Sequence, residues 1–215
     1  MDGFTGLNIE QANTEIQDFM SKTFEIKHDF EKCFKTLFEV LNKKWASSNA
    51  KSYTNQTIPE ICELHANYWN TILHIIHGAC DAANYLAEAN GASFTQYFGS
   101  IEAGFENESN LELSPCNAEI NGAVGMDLAS VKMAVEFFSR DTKTIISKLN
   151  VVPKKISFYD ANGDLLSTYD RNVTEFIKQF SVLFDKIERA LRLYLQSEQD
   201  NILLAKENAT NTMSA

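Results

Sequence analysis

The residues best suited to chemistry lie close together in the first half of the chain. His74, His77, Cys80 and Asp81 fall about one helical turn apart, and Cys62-x-x-His65 precedes His77-x-x-Cys80. Imidazole and thiolate are the usual ligands of zinc, so this spacing raises a metal site. Twelve residues separate His65 from His77, about 18 Å along a continuous helix, too far to share one ion. His77-x-x-x-Asp81 is then read as a helical i,i+4 pair, and the other residues as core and rim. Asp160-Ala-Asn162-Gly163-Asp164 has the acidic and glycine content of a calcium loop. The required bidentate Glu does not follow, with Tyr169 and Asp170 nearby instead, so a turn is expected. No nucleophile elbow, phosphate loop or dinucleotide fingerprint occurs. The expectation is a non-enzymatic protein with no catalytic residues, no cofactor and no metal.

Composition narrows the partners. The formal charge of -10 over 215 residues disfavours nucleic acid, whose phosphates require clustered Lys and Arg. It disfavours anionic lipid for the same reason. No run of 18 apolar residues is present, so no membrane span is expected. The first residues, Met1-Asp2-Gly3-Phe4, lack a basic region followed by an apolar stretch, so no secretory signal peptide is expected. Cysteines 33, 62, 80 and 116 have no CxxC spacing and read as reduced core thiols. The sequons at Asn55, Asn107, Asn172 and Asn208 are read as accidental.

The elements that would carry these residues are helical. From 8 to 44, Ile9, Ala12, Ile16 and Phe19, and again Phe30, Phe34, Leu37 and Leu41, recur at three- and four-residue steps with Phe24 between the two runs and no Pro or Gly, which predicts one helix about 50 Å long. A polar stretch, 45–57, reads as a reversal. The second stripe, through Ile61, Leu64, Tyr68, Ile72, Ile75 and Leu86, has two candidate starts. One is a capping box at Thr57-Ile-Pro-Glu60; the other lies near Ser48 and places Pro59 inside the helix. Five of nine glycines fall between 91 and 125, which predicts a crossover linker over 92–125, with room for a short helix through Phe94, Tyr97, Phe98 and Ile101. A third helix is expected over 126–149, through Leu128, Val131, Val135, Phe138, Ile145 and Leu149, halted by Pro153. An extended piece from Ile156 and a turn at Asn162-Gly163 come next. The last helix is expected through Leu165, Tyr169, Val173, Phe176, Phe180, Phe184, Ile187, Leu191 and Tyr194, with a flexible tail over 205–215. Fifteen phenylalanines need a shared core. The expected fold is all-α: an N-terminal helical hairpin (1–91) and a C-terminal one (126–204), antiparallel and packed as an elongated four-helix bundle.

A long helix, then Trp45-x-Ser47, then a second long helix resembles the Trp-x-Gly family of helical-hairpin proteins exported by type VII (ESX-type) secretion. Ser stands here where that family has Gly. Setting Tyr169 against Tyr53 places Gly163 on the Ser47 position, so the chain resembles two such units fused. The resemblance implies hairpin turns at Trp45, Ser47 and Gly163. It also implies that Tyr194-x-x-x-Glu198 is the family's export signal, carried on an accessible stretch of helix. The implied partners are the type VII secretion ATPase and another helical secreted protein or a second copy. The implied location is outside the cell without a signal peptide, or the cytoplasm before export. An intracellular helical-bundle adaptor or scaffold is the alternative reading; there Trp45 is a core aromatic and Tyr194 and Glu198 a surface pair.

Overall fold

The four long stripes become helices, the last of them only in part. The computed structural model describes residues 6–89, 91, 111–170 and 173–213. Among the described residues four long helices pack together with two small two-stranded sheets, and 75% of these residues are helical. They are α1 (Ile9–Lys44), α2 (Ser48–Glu88), α3 (Leu128–Asn150) and α4 (Thr174–Met213). The expected short helix at Phe94, Tyr97, Phe98 and Ile101 lies outside the described residues.

Helix boundaries follow from caps. Asn8 starts α1: its Oδ1 accepts the Gln11 amide at 3.1 Å and its carbonyl the Ala12 amide at 3.0 Å. Asp127 does the same for α3, accepting the Ser130 amide at 3.1 Å and the Ser130 hydroxyl at 2.8 Å. These side chains satisfy amides that the helix itself leaves open. Past α3, Val151 and Val152 close onto the carbonyls of Lys148 and Leu149 before Pro153 stops the ladder.

α2 takes the earlier of its two starts. Thr57 is therefore no cap; it lies inside the helix, its hydroxyl donating to the Tyr53 carbonyl at 2.9 Å. Thr54 likewise donates to the Ala50 carbonyl at 2.8 Å. With their hydroxyls satisfied locally, Thr54 and Thr57 extend a buried stripe through Ala50 and Ile61. Pro59 sits in the helix and cannot donate to the Asn55 carbonyl.

The last helix is shorter at its start than its stripe implied. Leu165 and Tyr169 belong to a strand. β3 (Lys155–Tyr159) pairs antiparallel with β4 (Leu165–Asp170), Ile156 facing Tyr169. Ile156 and Phe158 alternate into the core with Ser157 between them, the two-residue period of a half-buried strand. The turn is held by Asp160, whose Oδ1 accepts the amides of Asn162 and Asp164, both at 2.8 Å. Gly163 has φ +87°, a left-handed conformation natural to glycine. Gly163 is thus the tip of a β-hairpin and not the small residue of a helix–helix turn. The alignment of Tyr169 with Tyr53 sets a strand residue against a helical one. At its other end α4 runs through the expected tail to Met213, since no Pro or Gly follows Gly163.

The chain packs as two compact units, and each takes a piece of all four helices. One unit comprises 1–28, 64–111 and 146–178. In it Tyr68 meets Phe176 edge-on at 5.1 Å and donates its hydroxyl to the Thr23 carbonyl at 3.1 Å. Phe24 packs on Trp69 at 4.9 Å, and the Lys27 ammonium lies 4.7 Å from the Trp69 ring centroid. The β3–β4 hairpin docks here too. A Cβ built on Gly78 of α2 would fall 1.8 Å from the Tyr169 hydroxyl oxygen, so only glycine leaves room for that ring. The other unit comprises 29–63, 112–145 and 179–215. Its centre is a phenylalanine cluster: Phe30 contacts Phe34 and Phe180 at 4.7 and 4.9 Å, and Phe34 contacts Phe138 at 5.4 Å. Phe34, Phe138, Phe180 and Phe184, all expected in the core, are buried.

Candidate recognition site

The α1–α2 reversal takes three residues. Trp45 and Ala46 form β1, which pairs antiparallel with β2 (Gly125–Met126), Trp45 facing Met126. Ser47 then caps α2: its Oγ accepts the Ala50 amide at 2.9 Å, and its carbonyl accepts the Lys51 amide at 3.0 Å. Glycine and serine are both acceptable at this cap, and serine adds the side-chain acceptor. The segment before β2 clamps the turn from outside. Asn117 accepts the Ser47 amide at 3.2 Å, Thr54 Oγ1 accepts the Cys116 amide at 2.8 Å, and Asn42 donates to the Ser114 carbonyl at 2.9 Å. The Asp127 amide donates to the Lys44 carbonyl at 2.8 Å, and the two side chains form an ion pair at 3.3 Å.

This cap sets the phase of α2 so that Tyr53 points back at the turn. Three aromatic rings meet there. Trp45 lies 6.1 Å from Tyr53 and 4.9 Å from Tyr194, and the two tyrosines are 5.4 Å apart. All three pairs are tilted, the offset arrangement that aromatic quadrupoles favour. Trp45 is 1% exposed, and its indole Nε1 is buried without a hydrogen-bond partner among the described residues. Burial raises the Tyr53 hydroxyl to about 12, the Thr57 side chain opposing, so the phenol stays neutral. Burial also raises the Cys116 thiol to about 11.

Tyr194 was expected on an accessible stretch of helix, and here the structure differs. Its ring is half-buried against Trp45 and Tyr53, because the α4 stripe of Phe184, Ile187, Leu191 and Leu195 turns the neighbouring position toward the turn. Glu198, one turn later, is half-exposed, and α4 is solvent-exposed from Gln199 through Asn208. Trp45, Ser47 and Tyr194 are therefore brought into one place. Gly163 belongs to the β3–β4 turn of the other unit. Sequence reasoning missed Tyr53 as a member of the cluster; the signal was Ser47 as a cap, which would have fixed where Tyr53 points.

The histidine and cysteine candidates divide by burial. His65 and Cys80 are buried on α2, while His74, His77 and Asp81 are exposed. No group of three or more His, Cys, Asp or Glu among the described residues is placed to hold a metal ion. Among the described residues no cysteine is in a disulfide. Burial is the main cause raising the Cys33 thiol, helped by Asp141 and Asp29. No helix among the described residues is long and apolar enough to cross a membrane. In comparisons with known proteins, no family model, curated protein or solved structure matches the chain.

Proposed function

We propose that this chain is a non-enzymatic protein that works by binding other proteins, and that it leaves the cell by a type VII-like route as two fused antiparallel helical hairpins. One observation carries the reading: the Trp45-x-Ser47 turn and the Tyr194-x-x-x-Glu198 element, far apart in sequence, meet through the contact of Trp45 with Tyr194. An export ATPase could then grip a turn and a helix segment together, with Glu198 the exposed part of the element. The half-burial of Tyr194 favours one rival, the intracellular adaptor, because it gives that tyrosine a packing role independent of export.

The test separates ring from charge. Tyr194→Phe keeps the ring packing, and Glu198→Ala removes the carboxylate without touching the core. Protein in culture supernatant is compared with protein in cells of the native host, beside a lysis control. Glu198→Ala is expected to cut export to the level of that control while melting stays unchanged; Tyr194→Phe is expected to be exported normally. Normal export of Glu198→Ala would move the adaptor reading into first place.

A further inference from the structure

Two apolar surfaces of the second unit are open to solvent among the described residues. The first is a groove of about 430 Å³ between α1 and α3, floored by Leu37, Ala134 and Phe138 and edged by Val40, Met133 and Phe137. Met133 and Phe137 are 55% and 46% exposed, although they flank a phenylalanine core. The second is the far end of α4, where Ile202, Leu203 and Leu204 are 40%, 59% and 57% exposed. One surface is concave and the other is a single convex helix. In the folded chain the second does not fill the first, since its three side chains stand in solvent.

We infer that the exposed end of α4 docks in the α1–α3 groove of a second copy, two such arms and two grooves making a reciprocal dimer. The charges at the ends of both surfaces agree with this occupant. Lys43 and Lys44 stand at one end of the groove and Asp141 at the other. The arm carries Glu198 and Asp200 before its apolar residues and Lys206 after them. Along α3 the groove runs about 16 Å from Ser130 to Asp141, and Glu198 to Lys206 spans about 12 Å of helix. Lysine reach covers the difference, so the arm lies parallel to α3 with Glu198 and Asp200 near Lys43 and Lys44. These lysines now pair with Glu39 and Asp127 at exposed positions, where an ion pair is weak enough to exchange. Reciprocity follows from the arm and groove belonging to the same chain, so two copies related by a twofold axis satisfy both at once.

The full-length protein is tested by sedimentation over a wide concentration range. The wild type should pass from monomer to dimer mass. Met133→Glu, which spoils the groove, and the double change Leu203→Glu with Leu204→Glu, which spoils the arm, should each weaken dimerisation by about tenfold or more. Both alter exposed side chains, so helicity should be unaffected, as should melting at concentrations where the wild type is monomeric. An equimolar mixture of the two variants should associate again, because it retains one intact arm and one intact groove. A wild type that stays monomeric throughout overturns the proposal. So does a variant that dimerises as well as wild type, or a mixture that remains monomeric.

Discussion

The protein reverses its chain twice between paired helices and does so by opposite means. Between α1 and α2 three residues suffice, because Ser47 caps the new helix at once and Trp45 fills the corner. Between α3 and α4 the reversal occupies 151–173 and holds a β-hairpin of its own. The short turn relies on a large side chain at the turn itself. The long one relies on the absence of a side chain elsewhere, at Gly78, where the Tyr169 ring approaches the α2 backbone. A tight reversal thus concentrates its determinants in a few adjacent residues, whereas an inserted hairpin distributes them over distant ones.

That contrast can be broken experimentally, and Trp45 should give the largest effect. Trp45→Ala empties a fully buried site shared with two tyrosines, and should cost about 3–5 kcal/mol in denaturant unfolding. A loss under 1 kcal/mol would mean that the turn does not depend on its indole. Gly78→Ala comes next and has a sign that can be reversed. Displacing Tyr169 should cost about 1–3 kcal/mol, against about 1 kcal/mol gained from replacing a helical glycine. In a Tyr169→Ala background the same change should become stabilising by about 1 kcal/mol; a penalty that persists there would exclude the ring contact as its cause. Ser47→Ala should cost about 1 kcal/mol, and Ser47→Gly only a few tenths, as expected for a helix cap. Equal losses would argue against the capping bond.

The smallest effect concerns acid. Asp127 is held below the ordinary aspartate value, first by the Ser130 amide, then by the Ser130 hydroxyl and Lys44. Its folded pKa lies below its unfolded one, so its contribution is complete above the unfolded value and is lost as pH falls through the folded value. Because the carboxylate is exposed, the change should be slight. Comparing Asp127→Asn with wild type between neutral pH and strong acid checks it: the two melting curves should converge in acid.

The helical stripes were legible because long amphipathic helices repeat their message many times over. Phe34, Phe138, Phe180 and Phe184 could be placed in the core from spacing alone. The start of α2 was obscured because Thr54 and Thr57 look polar in sequence, yet bury their methyl groups once their hydroxyls bond the preceding turn. Leu165 and Tyr169 were misplaced for a different reason. Their four-residue step also leads on to Val173, and a helical period can be imitated by a strand followed by a helix. The ring contact of Trp45 with Tyr194 left no local trace, since it depends on how α4 packs beside the turn.

The chain has two tryptophans, and the fold gives one to each unit: Trp69 beside Phe24 and Lys27, Trp45 between two tyrosines. Each unit therefore contains its own fluorophore in a distinct electronic setting. Trp45 can receive excitation from Tyr53 and Tyr194, while a neighbouring ammonium polarises the indole of Trp69. With one tryptophan changed to phenylalanine, the emission of the other reports the opening of a single unit, so the protein carries the optical means to reveal whether its two halves melt together or in turn.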